Sequence, residues 1–145
     1  MFLFLGTFEY AMDERGRLPL PPKYRDVFKG GLVISEGAPE RCLHIETLAA
    51  FEERAQEYMS QSPLHRKGRV LRRALFASAH STELDKQNRV LVPPPLREFA
   101  GLSGKVLMIG AGDWLEVWTP AEYDREKSQS VEELPGALES TEPRG

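Results

Sequence analysis

Residues 13–25 read DERGRLPLPPKYR, and residues 85–97 read DKQNRVLVPPPLR. The two phrases stand 72 positions apart, and arginine holds the fifth and thirteenth place in each. At the same offset Phe4 lies over Phe76, Met12 over Leu84, Leu18 and Leu20 over Val90 and Val92, and Pro21 and Pro22 over Pro93 and Pro94. Further on, CLHIETLAAFEE (42–53) lies over WLEVWTPAEYDR (114–125), pairing Leu43 with Leu115, Ile45 with Val117 and Phe51 with Tyr123. An internal duplication is an architectural signal. Each copy is about 50 residues long, too small a unit to bury an adequate core alone, so the two are expected to share one pseudo-symmetric core.

Each copy predicts the same series of elements. A strand ends at Met12 or Leu84, and a tight turn follows, DERG or DKQN. A second strand, RLPLP or RVLVP, turns Leu18 and Leu20, or Val90 and Val92, to one face. Prolines then open a short helix, PPKYRDVF or PPPLREFA, because the first helical turn needs no N–H there. Gly30 and Gly101 are expected to end these helices in the left-handed conformation. Two more strands follow, around LVI and CLHI and then around KVLMI and WLEVW, and a helix closes each copy. The first closing helix is expected over about Leu48 to Met59. The second is expected from Thr119, where Thr-Pro-Ala-Glu has capping-box spacing. The opening MFLFLG reads as a first strand, and a linking helix is expected from Ser62-Pro63 to Phe76. The organisation is therefore a first repeat (1–59), a linking helix (60–76), a second repeat (77–130) and an acidic tail (131–145) expected to be disordered. The fold class is mostly β with flanking helices, α+β.

The turn carries the functional signal. Asp13 can bond its side chain to backbone N–H groups of DERG, and Gly16 can take positive φ to give a bulged hairpin. Asn88 replaces glycine in the second copy and is the other residue that best tolerates that conformation, with Asp85 in the place of Asp13. Such tips project from the body. Arg15 sits on the first tip and Arg17 begins its outgoing strand; Lys86 sits on the second tip, and Arg89 matches Arg17. A guanidinium suits two-point recognition of a guanine edge or a phosphate, which points to double-stranded DNA. Arg25 and Arg97 lie in the short helices beside core residues and are read as structural, paired with an acidic residue.

Charge distribution supports this reading. The net charge is −3, yet eight basic residues lie between Leu64 and Arg97 against only Glu83 and Asp85. From Glu122 onward seven acidic residues face three basic ones. The middle is thus a basic island and the tail an acid run.

Other classes have little to stand on. No apolar run reaches the ~20 residues of a membrane span, and the apolar start is too short for a signal peptide. Cys42 is the only cysteine, so it makes no internal disulfide, and it has no metal-ligand spacing around it. A cytoplasmic protein without metal or cofactor is expected. Cys42 and His44 lie on one strand-like run without an orienting partner, His65 and His80 are isolated, and GAG at 110–112 is more simply a hairpin turn than a phosphate cradle. No catalytic residue or small-molecule substrate is assigned. Tyr10, Trp114 and Trp118 are read as core or interface residues rather than base-stacking ones.

The pattern D-x-x-G-R-x-x-x-P-x-x-x-R, twice in tandem, resembles the MraZ family of bacterial transcriptional regulators of the division and cell-wall gene cluster. Asp13, Gly16, Arg17, Pro21 and Arg25 fit it in full; Asp85, Arg89, Pro93 and Arg97 fit it with Asn88 departing from glycine. GRVLRRALFASA (68–79) and VLMIGAGDWLEVWTPAEYD (106–124) also resemble the family's linking and closing segments. The resemblance implies an AbrB-like swapped-hairpin, double-psi β-barrel with each repeat supplying half. It implies a nucleoid-associated repressor that binds DNA through D-x-x-G-R. It also implies a ring-like homo-oligomer on short G-rich direct repeats of a promoter. AbrB-like hairpins recur in antitoxins, so the alternative is a protein-interaction or assembly module without a DNA role.

Overall fold

The computed structural model describes residues 2–141. In chain order its elements are β1 (Thr7–Met12), β2 (Arg17–Pro19), a 3-10 turn (Pro22–Tyr24), β3 (Leu32–Glu36), β4 (Leu43–Thr47), α1 (Leu48–Met59) and α2 (Arg66–Phe76). There follow β5 (His80–Thr82), β6 (Arg89–Leu91), α3 (Pro94–Ala100), β7 (Gly104–Gly110), β8 (Leu115–Trp118) and α4 (Pro120–Glu139). The class is mixed α+β, and all sheet pairings are antiparallel.

One sheet has six strands in the order β1-β7-β8-β4-β3-β5, and a second holds β2 and β6 alone. Exchanging the two halves leaves this order intact. Hairpin β3–β4 corresponds to β7–β8, and the two meet at the β4–β8 pairing, where Ile45 faces Leu115. The first strand of each copy is traded: β1 lies on β7, with Thr7 opposite Ile109, and β5 lies on β3, with Leu32 opposite Thr82. The β2–β6 ribbon is also built from one strand of each copy, with Leu18 opposite Val90. Neither half can close its own sheet, which is why the duplication forms one core.

Alternation selects that core. Leu43 and Ile45 point inward on β4, and both are fully buried with Leu18, Val90, Val92, Met108, Leu115 and Val117. Full burial of each such side chain contributes roughly 1.5–3 kcal/mol. His44 and Glu46 occupy the opposite face of β4. There Glu46 is only 1% exposed and is held by Arg54 of α1, whose Nε donates at 3.1 Å to Oε2 while Nη2 donates to Oε1. Thr47 caps α1 by accepting from the Ala50 N–H at 3.1 Å, which sets the start of the helix expected from the sequence. Trp118 and Leu115 are core residues, 3% and 0% exposed, and Tyr10 packs against the same core.

Several local expectations are corrected. Residues 2–6 of MFLFLG form no strand: Phe4 makes a single bridge to Gly112, and its ring joins a cluster with Tyr24 and Phe28. Phe76 is not its structural counterpart, since it ends α2 and is 36% exposed. The first proline-led helix is reduced to a 3-10 turn, and the left-handed glycine after it is Gly31 (φ 100°), not Gly30. Gly101 does end α3 in the left-handed region. The linking helix begins at Arg66 rather than near Ser62. Where a disordered tail was expected from 131, α4 continues to Glu139; the remaining residues 142–145 lie outside the described ones. This helix buries none of its residues. It is held locally, by the Thr119 cap and by i,i+4 contacts such as Gln129 to Glu133 at 2.7 Å, which outlast the bond removed by Pro135. No helix among the described residues is long and apolar enough to cross a membrane.

Arg54→Ala leaves the Glu46 carboxylate buried without its partner. The expected cost is about 3–5 kcal/mol, read as a lower midpoint in thermal or urea unfolding.

Candidate nucleic-acid interface

The two turns have the same hydrogen bonding. Asp13 Oδ1 accepts from the backbone N–H of Arg15 at 2.9 Å and of Arg17 at 2.8 Å, and the Gly16 N–H closes the turn on the Asp13 carbonyl at 3.0 Å. Asp85 Oδ1 accepts from Gln87 and Arg89, both at 2.9 Å, and the Asn88 N–H reaches the Asp85 carbonyl at 3.0 Å. Gly16 has φ 86° and Asn88 φ 61°. In each aspartate these backbone bonds, led by the one from Arg17 or Arg89, hold the carboxyl below its ordinary value, so both remain anionic acceptors.

The tips are pinned to the body differently. The Gly16 carbonyl accepts from Val92 N–H at 2.9 Å, and the Asn88 carbonyl accepts from Leu20 N–H at 3.0 Å. Beneath Gly16 lies Arg97: a Cβ on Gly16 would fall 2.6 Å from its Cζ. Arg97 Nε donates at 3.0 Å to the Val92 carbonyl. At the second tip the equivalent acceptor, the Leu20 carbonyl, takes its bond from Asn88 Nδ2 at 2.8 Å. Arg97 is therefore structural, as expected, but its partner is a carbonyl rather than an acidic residue. Arg25 is exposed, and no bond from its guanidinium is found among the described residues.

The four cations singled out in the sequence are also unequal. Arg15 and Lys86 are exposed and Arg17 half-buried; among the described residues none of the three side chains hydrogen-bonds or ion-pairs within the chain. Arg89 does not project freely. Its Nε donates to Asp85 Oδ2 at 3.0 Å, and Nη1 lies 3.9 Å from Asp13 Oδ2, so it clasps one tip to the other. The sequence placed four cations on the two tips; the structure leaves Arg15, Arg17 and Lys86 open and engages Arg89. The basic island divides likewise. Arg69 donates to the Pro63 and Leu64 carbonyls at 3.0 and 3.1 Å, and Arg72 to Met59 at 2.8 Å, fastening the end of α1. Arg66, Lys67 and Arg73 stay exposed.

One grouping is only half visible in the linear sequence: Cys42 and His44 share a strand-like run, but nothing there brings in Glu116. His44 faces Glu116 across β4–β8, and Cys42 lies two residues before His44. Their ligand atoms all fall within 4.8 Å of one another, a donor set that could hold a divalent ion of the zinc type. The carboxylate is already occupied by two indoles, from Trp114 at 3.0 Å and Trp118 at 2.9 Å. Burial keeps His44 neutral, lowered to about 4, and pushes the Cys42 thiol up. Cross-strand register, which single-strand reading cannot supply, is what assembles this group.

Comparison with known proteins follows the duplicated pattern. The family described as "MraZ protein, putative antitoxin-like" matches over residues 3–73 and again over 75–139. The chain belongs to this family. It is 37% identical over 140 residues to a protein of Dehalococcoides mccartyi named "Transcriptional regulator MraZ", covering 97% of this chain and 99% of that one. It is 38% identical over 141 residues to the Salinispora tropica protein of the same name, covering 97% and 99%. With the Thermobifida fusca protein, also so named, it shares 41% identity over 145 residues, covering 94% and 100%. The two family matches meet within α2.

Gly16→Ala would force a side chain into positive φ and displace Arg97. A loss of about 1–2 kcal/mol from the backbone alone is expected in chemical unfolding. Gly30→Ala is the control: it has ordinary φ and nothing within 4 Å of a new Cβ, and it should be neutral or stabilising by up to ~1 kcal/mol.

Proposed function

We propose that the chain is a sequence-specific, non-enzymatic DNA-binding transcriptional regulator acting through its paired hairpin tips. The observation that carries this reading is Arg15 and Arg17 on a turn held rigid by Asp13, with neither side chain hydrogen-bonded or ion-paired among the described residues. Near-full-length relatives named as transcriptional regulators support it.

The first tip is proposed to enter a major groove, as β-ribbons do. Arg17 donates two bonds to guanine O6 and N7, and Arg15 contacts a phosphate or neighbouring base. A bidentate pair of this kind gives ~1–3 kcal/mol of discrimination between bases. The second tip serves the backbone through Lys86. Arg89 holds the two tips in register, a change from the direct DNA contact expected for it.

A single tip touches few bases, so one protomer binds weakly. Head-to-tail subunits in a ring would present several tips to short G-rich direct repeats, which raises avidity by ~10²–10⁴ without new contacts. The traded strands fit the swapped-hairpin, double-psi barrel expected of AbrB-like repeats. Repression of a division and cell-wall gene cluster is the role this assembly is proposed to perform, in the cytoplasm on the nucleoid.

Arg17→Ala is expected to remove the gel shift of the chain's own promoter at ~150 mM salt, where long-range attraction is screened. Its circular dichroism and melting should match the parent. Retained operator binding by that variant overturns the base-reading role. Lys86→Ala should weaken operator and scrambled duplexes alike and reduce the salt slope by about one phosphate contact; a loss confined to the operator contradicts it. Rings that form normally yet never bind DNA in a salt-dependent way would favour the interaction-module alternative.

A further inference from the structure

We propose that Asn88 releases Arg25 from the protein scaffold and so supplies the second tip with a phosphate-binding cation. This rests on the reading of the paired tips as a DNA surface and assigns a residue that reading leaves out.

The pseudo-symmetry of the two halves is broken at one turn residue, Gly16 in one and Asn88 in the other. Val92 and Leu20 are equivalent, and so are Arg97 and Arg25, each five residues beyond its carbonyl. In one half Arg97 lies under Gly16, close enough that a Cβ there would overlap its guanidinium, and Nε donates to the Val92 carbonyl at 3.0 Å. In the other half the glycine is replaced by Asn88. Its side chain occupies the corresponding space, and Nδ2 donates to the Leu20 carbonyl at 2.8 Å. The Leu20 carbonyl thus has Asn88 where the Val92 carbonyl has Arg97, and no bond from Arg25 to it is found among the described residues. The backbone agrees: Arg97 N–H bonds to the Pro93 carbonyl in an α turn, whereas Arg25 N–H bonds to the Pro22 carbonyl in a 3-10 turn.

Arg25 is consequently an exposed cation at the end of the 3-10 turn, five residues beyond Leu20, whose N–H anchors the second tip by its bond to the Asn88 carbonyl at 3.0 Å. The second tip carries Lys86, and its own arginine, Arg89, is engaged by two aspartates. Two free cations without a guanine-directed geometry suit phosphate oxygens, which carry no sequence information. The asparagine therefore divides labour between the tips: the first reads bases, and the second grips the backbone with Lys86 and Arg25.

The test measures binding of operator and scrambled duplexes across a salt series for the parent, Arg25→Ala, Arg25→Lys, Asn88→Gly, the Asn88→Gly/Arg25→Ala double variant and Arg17→Ala. Arg25→Ala should weaken both duplexes by the same factor and reduce the slope of log K against log[salt] by about 0.9 per engaged subunit. Arg25→Lys should keep the parent slope. Asn88→Gly, which suits the left-handed backbone, should seat Arg25 on the Leu20 carbonyl. It should lose the same slope, and adding Arg25→Ala should then change nothing further. A DNA-free readout accompanies these: the Arg25 Nε–H resonance should become protected from exchange in Asn88→Gly and not in the parent. Loss of binding in Arg17→Ala with a parental slope in Arg25→Ala overturns this inference alone. Full binding by Arg17→Ala overturns the DNA reading beneath it. An unprotected Arg25 Nε–H in folded Asn88→Gly overturns the release by Asn88.

Discussion

Leu18 faces Val90 across a ribbon to which each half of the chain contributes one strand, and both side chains are fully buried. Separating the two halves would expose that pair and also the edges of β3 and β7, which β5 and β1 cover from the opposite half. Unpaired edge groups and exposed core together make a separated half unstable. The tips are the ends of these same strands. Their spacing and mutual orientation are therefore consequences of the core and need no additional element to set them.

The two tips began as copies and are now unequal, and the inequality follows from few atoms. Their Asx-type turns are interchangeable in geometry. What differs is the donor at one buried carbonyl: an arginine beneath a glycine in one half, the turn residue's own amide in the other. Asn88 has a penalty of its own, since its Oδ1 is buried without a donor among the described residues. One tip has open guanidinium groups, and the other has a guanidinium closed onto carboxylates.

Burial elsewhere follows the rule that polar groups inside must be paired. Glu46 is matched by the planar fork of Arg54. Arg69 and Arg72 satisfy carbonyls that α1 and its following loop leave open. Much of the basic island is therefore structural. Counting charges along the chain overestimates the cations available to a polyanion, because a carbonyl partner leaves no charge pattern in a sequence.

Linear information was sufficient wherever the controlling contacts are local. The turns span four residues, with the aspartate bonding two and four positions ahead. The span of α1 depends on a cap three residues away. The duplication itself announced one shared core. Tertiary structure decided the rest, because those choices are contacts between residues far apart in the chain. These include which strands are traded between halves, the closing of Arg89 onto Asp13, and the meeting of Cys42, His44 and Glu116. Asn88 reaching the Leu20 carbonyl across 68 positions is the clearest case. A one-dimensional reading could see that glycine had become asparagine and that the turn would survive. Only the packed chain shows that the same amide takes the seat of an arginine.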